Sequence, residues 1–103
     1  MLFVMRGDEV LETLPVGRQP CYVAGRLPEV EITLEHPSVS RRHAAVMHHR
    51  SGAVYIMDLG SAHGTFLNGR RLPPQEPTQW REGAAVNFGA SSRAFVLRVP
   101  LGS

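Results

Sequence analysis

The chain has 103 residues and a formal net charge of +2, with 43% hydrophobic and 19% charged residues. This balance excludes a disordered tail or a coiled coil, and the length predicts one domain spanning residues 1–103. The apolar runs are too short for a transmembrane helix, and the first residues lack the pattern of a secretory signal. A single cysteine, Cys21, cannot form an internal disulfide, so we expect an intracellular protein and place Cys21 in the core of a strand.

Short apolar segments, each bounded by turn-forming residues, follow one another along the chain. This punctuation is typical of an all-β domain, and the apolar stripe of an amphipathic helix is missing. In the last segment Phe95, Leu97 and Val99 share one parity, which predicts a buried face. The predicted strands are residues 2–5, 10–14, 21–24, 32–34, 44–48, 54–59, 65–67, 84–88 and 94–99.

Two dipeptides mark tight turns between these strands. Ser51-Gly52 and Asn68-Gly69 each separate strand-like residues and favour hairpin turns. About nine or more short strands in a chain of this size predict a two-sheet sandwich or a barrel. In such folds the loops at one end carry the function.

Three predicted loops carry side chains that bind anions. Gly25-Arg26 follows one strand, residues 37–43 lie between the next two strands, and residues 58–65 precede another. At one end of a sandwich they would bring together guanidinium groups, hydroxyls, imidazoles and backbone amides, which are the donors that a phosphate needs. All 11 basic residues are arginines, but the net charge is only +2, so we expect a local phosphate site and not a nucleic-acid coat.

The order of three motifs carries a family resemblance. Gly25-Arg26, then Ser40-Arg41-Arg42-His43, then Gly64-Thr65-Phe66-Leu67-Asn68-Gly69 resembles the forkhead-associated (FHA) domain. The resemblance extends over nearly the whole chain. It implies an all-β sandwich of about eleven strands in two sheets, whose loops at one end bind phosphothreonine peptides. It implies no cofactor.

The resemblance also implies a role for each matching residue. Arg26 and Ser40 would hold the phosphate, Arg41 would reach the phosphate or the peptide backbone, and Ala62 and His63 would lie against the peptide. Other residues would support the binding loops, namely Gly25, His43, Asp58, Gly64, Asn68 and Gly69.

Two positions depart from the commonest family pattern. Many FHA domains have Ser-Thr-Asn-Gly-Thr where this chain has Ser61-Ala62-His63-Gly64-Thr65. Ala62 replaces a hydroxyl that often donates to the phosphate, a loss on the order of 1–2 kcal/mol or about tenfold in affinity. His63 replaces an asparagine that fixes the peptide backbone. Weaker binding and a changed ligand therefore both stay open.

The segment from His63 to Leu67, taken with residues 88–94, narrows the resemblance within the family. It is most similar to the type of FHA domain in the nuclear inhibitor of protein phosphatase 1 and in kanadaptin. The phosphatase-inhibitor type also has histidine at position 63. This similarity implies a nuclear protein and a preference for phosphothreonine followed by proline.

Other interpretations of these residues are weaker. Ser40, His43 and Asp58 could be drawn as a hydrolase triad, but no nucleophile elbow surrounds the serine, so we predict no enzyme. Arg70-Arg71 is either solvated loop charge or a contact to acidic ligand residues. A metal site is not expected, because zinc-ligand spacing is missing and adjacent strand residues point to opposite faces. The histidines considered for it are His43, His48, His49 and His63.

The sequence thus predicts a monomeric module that binds a phosphothreonine-containing protein, with no membrane contact. The alternative is a phospho-independent or nucleic-acid-binding sandwich with the same fold. Trp80 stands alone, without the aromatic ladder on which nucleic-acid bases stack, which favours the first interpretation.

Overall fold

A computed structural model describes residues 1–15 and 19–98, which contain eleven β-strands. Within these two ranges no helix is long and apolar enough to span a membrane. The strands are β1 (Leu2–Arg6), β2 (Glu9–Leu14), β3 (Cys21–Gly25), β4 (Ile32–Thr33), β5 (Ala44–His48), β6 (Val54–Asp58), β7 (Thr65–Leu67), β8 (Arg70–Arg71), β9 (Thr78–Trp80), β10 (Ala85–Phe88) and β11 (Ala94–Leu97).

The strands form two sheets. The six-stranded sheet has the order β2-β1-β11-β10-β7-β8, and the five-stranded sheet has the order β4-β3-β5-β6-β9. Neighbouring strands pair antiparallel except for β3 and β4, which are parallel. The prediction of an all-β sandwich with about eleven strands in two sheets is confirmed.

The alternation of side chains builds one core between the sheets. Leu2 and Val4 point inward from β1, and Val46 and Ile56 point inward from β5 and β6. All four belong to a single buried cluster, as expected when two sheets pack face to face. Phe95 and Leu97 are buried as their spacing predicts, whereas Val99 lies outside the described residues.

The prediction that Cys21 belongs to the core is wrong. Cys21 occupies the first position of β3 and is exposed, because the alternation of that strand turns Tyr22 and Ala24 inward. An apolar composition alone does not reveal which parity of a short strand faces the core. Partial burial of its sulfur and the negative charge of Glu31 raise the pKa of the Cys21 thiol, which keeps it protonated.

Two strands were not among the predicted ranges, although the hairpin turn predicted at Asn68-Gly69 implied a strand after it. Strand β8 consists of the two arginines Arg70 and Arg71, whose charge hides a strand, and β9 follows Pro77 directly. Proline is tolerated there because it precedes the first residue of an edge strand. Trp80 in β9 is one of the largest fully buried side chains, so it belongs to the core.

The register of the strands places several loops at one end. Ala44, the first residue of β5, pairs with Ala24 near the end of β3 and with Asp58 at the end of β6. In the other sheet Phe88 at the end of β10 pairs with Thr65 at the start of β7. The β3–β4, β4–β5, β6–β7 and β10–β11 loops therefore leave the sandwich together.

Trp80 provides a test of this core. Its indole is 1% exposed, and its Nε1–H donates to the carbonyl of Ala84 at 2.9 Å. We expect Trp80→Ala to lower the free energy of unfolding by about 3–5 kcal/mol in urea denaturation. Leu11→Ala in the exposed strand β2 should change it by only about 0.5 kcal/mol. Losses of similar size would contradict this placement of the core.

Candidate phosphopeptide site

The β3–β4 and β4–β5 loops approach each other without room for a side chain at Gly25. A Cβ built on Gly25 would lie 1.9 Å from the backbone oxygen of Arg41, so only glycine fits. The next residue, Arg26, donates its backbone N–H to the Ser40 carbonyl at 3.1 Å and its side-chain Nε–H to the Val39 carbonyl. This contact fixes the Arg26 side chain beside Ser40.

The guanidinium of Arg26 keeps most of its donors. Its two terminal amino groups have no partner among residues 1–15 and 19–98. Arg41 is exposed, and its side chain is also without a partner in that part of the chain. By contrast, Arg42 lies near the carboxylate of Glu31. The pKa of Glu31 is lowered, first by the backbone N–H of Val23, which donates to it at 2.7 Å, and to a smaller extent by the positive charge of Arg42.

Ser40 links two loops and still has a proton to donate. Its Oγ accepts the backbone N–H of Ala62 at 3.2 Å. A serine hydroxyl has one donor and two acceptor sites, so this contact leaves the O–H free. Ala62 and His63 are exposed at the tip of the β6–β7 loop beside it.

His43 braces these loops from below. Its ring is completely buried, with Nδ1 accepting the Ser40 N–H at 3.0 Å and Nε2 donating to the Gly64 carbonyl at 2.7 Å. The ring also meets Phe88 edge to face at a centroid distance of 5.7 Å. Both nitrogens are used only when the imidazole is neutral, and burial lowers its pKa accordingly.

Asp58 organises the β6–β7 loop. Its Oδ2 accepts the backbone N–H groups of Gly60 at 3.0 Å and Ser61 at 3.1 Å. Its Oδ1 accepts the hydroxyls of Ser61 at 2.5 Å and Thr65 at 2.7 Å. Burial alone would raise the pKa of this carboxyl, but the four hydrogen bonds outweigh it and hold the pKa below its ordinary value.

The β7–β8 hairpin closes on a two-residue turn. Asn68 and Gly69 have φ of 49° and 81°, which is the left-handed pair that a tight hairpin requires. Asn68 donates its backbone N–H to the Ala85 carbonyl at 2.8 Å, and its Oδ1 accepts the Ala85 N–H at 2.9 Å. The turn is thereby fastened to β10.

Three hydroxyls have structural roles that were not predicted from the sequence. Ser61 and Thr65 hold Asp58, and the Ser61 Oγ also accepts the Gly64 N–H at 3.0 Å. Ser38 accepts the backbone N–H of Ala90 at 2.8 Å and so joins the β4–β5 loop to the β10–β11 loop. The spacing from Asp58 to Ser61 is a local signal for the first contact, whereas nothing in the sequence points to the pairing of Ser38 with Ala90.

The predicted site residues therefore meet at one end, and they do not form a catalytic relay. His43 bonds the backbone of Ser40 and not its hydroxyl, and the hydroxyls held by Asp58 are those of Ser61 and Thr65. In the described part of the chain, no group of three or more His, Cys, Asp or Glu side chains is arranged to hold a metal ion.

The sequence profile of the FHA domain matches residues 22–89, so the chain belongs to the FHA domain family. It is 42% identical over 99 residues to the nuclear inhibitor of protein phosphatase 1 of Homo sapiens, covering 94% of this chain and 28% of that protein. It is 39% identical over 109 residues to human kanadaptin, covering 96% of this chain and 15% of that protein. The predicted resemblance to these two proteins is confirmed, although the chain spans less than a third of either.

Solved FHA domains have the same fold. The FHA domain of CT664 from Chlamydia trachomatis superposes with a TM-score of 0.80 at 26% identity, covering 92% of this chain and 91% of that one. The N-terminal FHA domain of Rad53p from S. cerevisiae, solved with a phosphothreonine peptide, has a TM-score of 0.75 at 17% identity and covers 92% of this chain and 88% of that one.

The buried neutral His43 predicts an acid-sensitive fold. The unfolded chain binds a proton on this imidazole below about pH 6.5. Because the folded-state pKa is lower, stability from the neutral ring is complete above that pH and is lost as the pH falls below it. We expect urea denaturation to show the free energy of unfolding falling between about pH 7 and pH 5.

His43→Gln should reduce this slope, even though the variant is less stable at every pH. An equal slope in the variant and the wild type would show that His43 does not cause the acid sensitivity.

Proposed function

We propose that the domain binds phosphothreonine-containing segments of partner proteins. The observation that carries the proposal is a group of donors at the loop end that have no partner within residues 1–15 and 19–98. They are the terminal amino groups of Arg26, the hydroxyl of Ser40 and the side chain of Arg41. A phosphorylated threonine brings about −1.5 to −2 charges and three acceptor oxygens. Guanidinium and hydroxyl donors are the groups that satisfy such oxygens best.

The rigidity of the site supports this proposal. Arg26 is held by Val39, Ser40 is held through Ala62, and the loop beneath both is braced by His43. Donors already fixed in place lose little conformational freedom when the phosphate arrives. The carboxylate of Asp58 accepts four hydrogen bonds from its own loop, so it does not compete with the ligand for the donors of Arg26 and Ser40.

The comparisons support the same ligand class at the level of the family. The Rad53p FHA domain was solved with a phosphothreonine peptide, and its fold is shared by this chain. The finer preference, phosphothreonine followed by proline, rests on the similarity to the nuclear inhibitor of protein phosphatase 1. In this proposal Ala62 and His63 line the path of the peptide beside the phosphothreonine.

Other features of the proposal follow from the module as a whole. We assign residues 1–103 to one domain, because both sheets share a single core cluster. It would act as a monomeric interaction module and not as an enzyme, in the nucleus, as the name of its 42% identical relative suggests. The alternative function is phospho-independent binding or binding of nucleic acid. It predicts that the affinity for a partner peptide does not change when the peptide is phosphorylated.

Arg26→Ala tests the phosphate contact. Removing charge-assisted hydrogen bonds costs about 1.5–3 kcal/mol, or roughly ten- to a hundredfold in Kd. We expect that loss in fluorescence anisotropy with a phosphothreonine-proline peptide, measured beside its phosphoserine and unphosphorylated twins. Arg50→Ala removes the same charge from an exposed turn at the opposite end and should bind like the wild type.

Thermal unfolding of both variants checks that the fold is intact. Wild-type affinity in Arg26→Ala would contradict the proposed site. Equal affinity for the unphosphorylated peptide would contradict phosphate recognition and favour the phospho-independent alternative.

Ala62→Thr tests the effect of the missing hydroxyl. The side chain is exposed, and the backbone N–H of residue 62 already lies beside Ser40. A threonine there adds one donor to the phosphate without displacing a packed group, so we expect affinity to rise about tenfold. Ala62→Val adds similar volume without the hydroxyl and should give no gain. Equal gains in both variants would assign the effect to packing.

A further inference from the structure

The structure separates the two adjacent arginines of β8. Arg71 pairs with Phe66, and Arg70 pairs with Leu67, so the two side chains leave opposite faces of the sheet. Leu67 packs against the core, and directly paired residues share a face of the sheet. Arg70 therefore lies on the inner side at the edge of the sheet, and Arg71 lies on the outer face.

The side chain of Arg71 lies across Gly64. A Cβ built on Gly64 would be 2.6 Å from Nε and 3.0 Å from Cζ of Arg71. Gly64 has a φ of 87°, and the missing Cβ leaves the space that the arginine occupies. The guanidinium is thus brought from a strand to the base of the β6–β7 loop.

This guanidinium has no partner in the described part of the chain. Within residues 1–15 and 19–98, the side chain of Arg71 makes no hydrogen bond or ion pair, and it is exposed. In the described part of the chain Asp58 makes no ion pair with Arg71, and the Asp58 carboxylate accepts its hydrogen bonds from Gly60, Ser61 and Thr65. Arg71 is therefore a positioned cation that faces solvent.

Its distance from the proposed phosphate site is short. Ala62, whose N–H binds the Ser40 hydroxyl, is only two residues from Gly64, which spans at most about 7 Å of chain. An extended peptide advances about 3.3 Å per residue. A ligand anchored at Ser40 and crossing the loop tip therefore brings a residue within a few positions of its phosphothreonine to the Arg71 guanidinium.

We propose that Arg71 binds an aspartate or glutamate carboxylate of the ligand, close in sequence to the phosphothreonine, and so selects acidic phosphopeptides. The inference rests on the proposed function, because the phosphate sets the position of the peptide. A guanidinium held along Gly64 suits a carboxylate, whose two oxygens match its planar donors. Arg70, which leaves the other face of β8, would not contribute.

The test is a peptide scan with matched variants. A phosphothreonine peptide carries a single Asp, or the neutral Asn, at each of the four positions on either side of the phosphothreonine. The ratio of the two Kd values at each position is measured by fluorescence anisotropy for the wild type, Arg71→Ala and Arg70→Ala. An exposed ion pair corresponds to a preference of about two- to fivefold for Asp.

We expect this preference at one or two neighbouring positions in the wild type. It should disappear in Arg71→Ala and remain in Arg70→Ala, which removes an identical charge one residue away. A purely structural role of Arg71 would weaken Asp and Asn peptides equally and leave the ratio unchanged. An unchanged ratio in Arg71→Ala, or an equal loss in both variants, would overturn the inference.

The same experiment distinguishes this inference from the proposed function. Suppose that the phosphorylated peptides bind and lose affinity in Arg26→Ala, while the ratio of the two Kd values is the same in Arg71→Ala as in the wild type. Only the role of Arg71 then fails. If Arg26→Ala binds the phosphorylated peptides with wild-type affinity, and the unphosphorylated peptides bind as tightly as the phosphorylated ones, the proposed function fails. The role of Arg71 then fails with it.

Discussion

The loop end of this sandwich depends on one buried carbonyl, that of Gly64. It accepts the His43 Nε2–H at 2.7 Å and the Gly89 N–H at 2.8 Å, so a single oxygen joins the β4–β5, β6–β7 and β10–β11 loops. The His43 ring is completely buried, so loss of its hydrogen bond would leave an unsatisfied polar group and would be costly. The loops therefore behave as one unit, and the position of Ser40 follows from that of Gly64 through His43.

The charges at this end are divided between inner and outer groups. Asp58, the buried carboxylate, is satisfied by four donors of its own loop, and the His43 imidazole is held neutral. Three arginines at this end, Arg26, Arg41 and Arg71, face solvent with side-chain donors that have no partner among the described residues. A small net charge thus coexists with a local surface suited to anions, because the buried Asp58 carboxylate accepts hydrogen bonds from its own loop while the guanidinium donors face solvent.

Much of the fold could be predicted because strand and turn signals are local. Alternation fixed the buried face of β11, and the Asn68-Gly69 turn follows from the need for positive φ. The strands that were missed depend on which neighbour a short segment pairs with, and the exposure of Cys21 depends on which parity of β3 faces the core. In the same way, the link between Ser38 and Ala90 joins residues that are 52 positions apart, which no local pattern encodes.

The alanine at position 62, where many FHA domains have a hydroxyl residue, is compatible with the fold because other atoms hold the loop. Residue 62 contributes its backbone N–H to Ser40, an interaction that any side chain except proline permits. The loop itself is held by Asp58, Ser61 and Thr65, none of which needs a hydroxyl at position 62. Substitution there can therefore change the donors offered to a ligand while the scaffold stays intact. Gly25 is the opposite case, since any Cβ would push apart the two loops that carry Arg26 and Ser40.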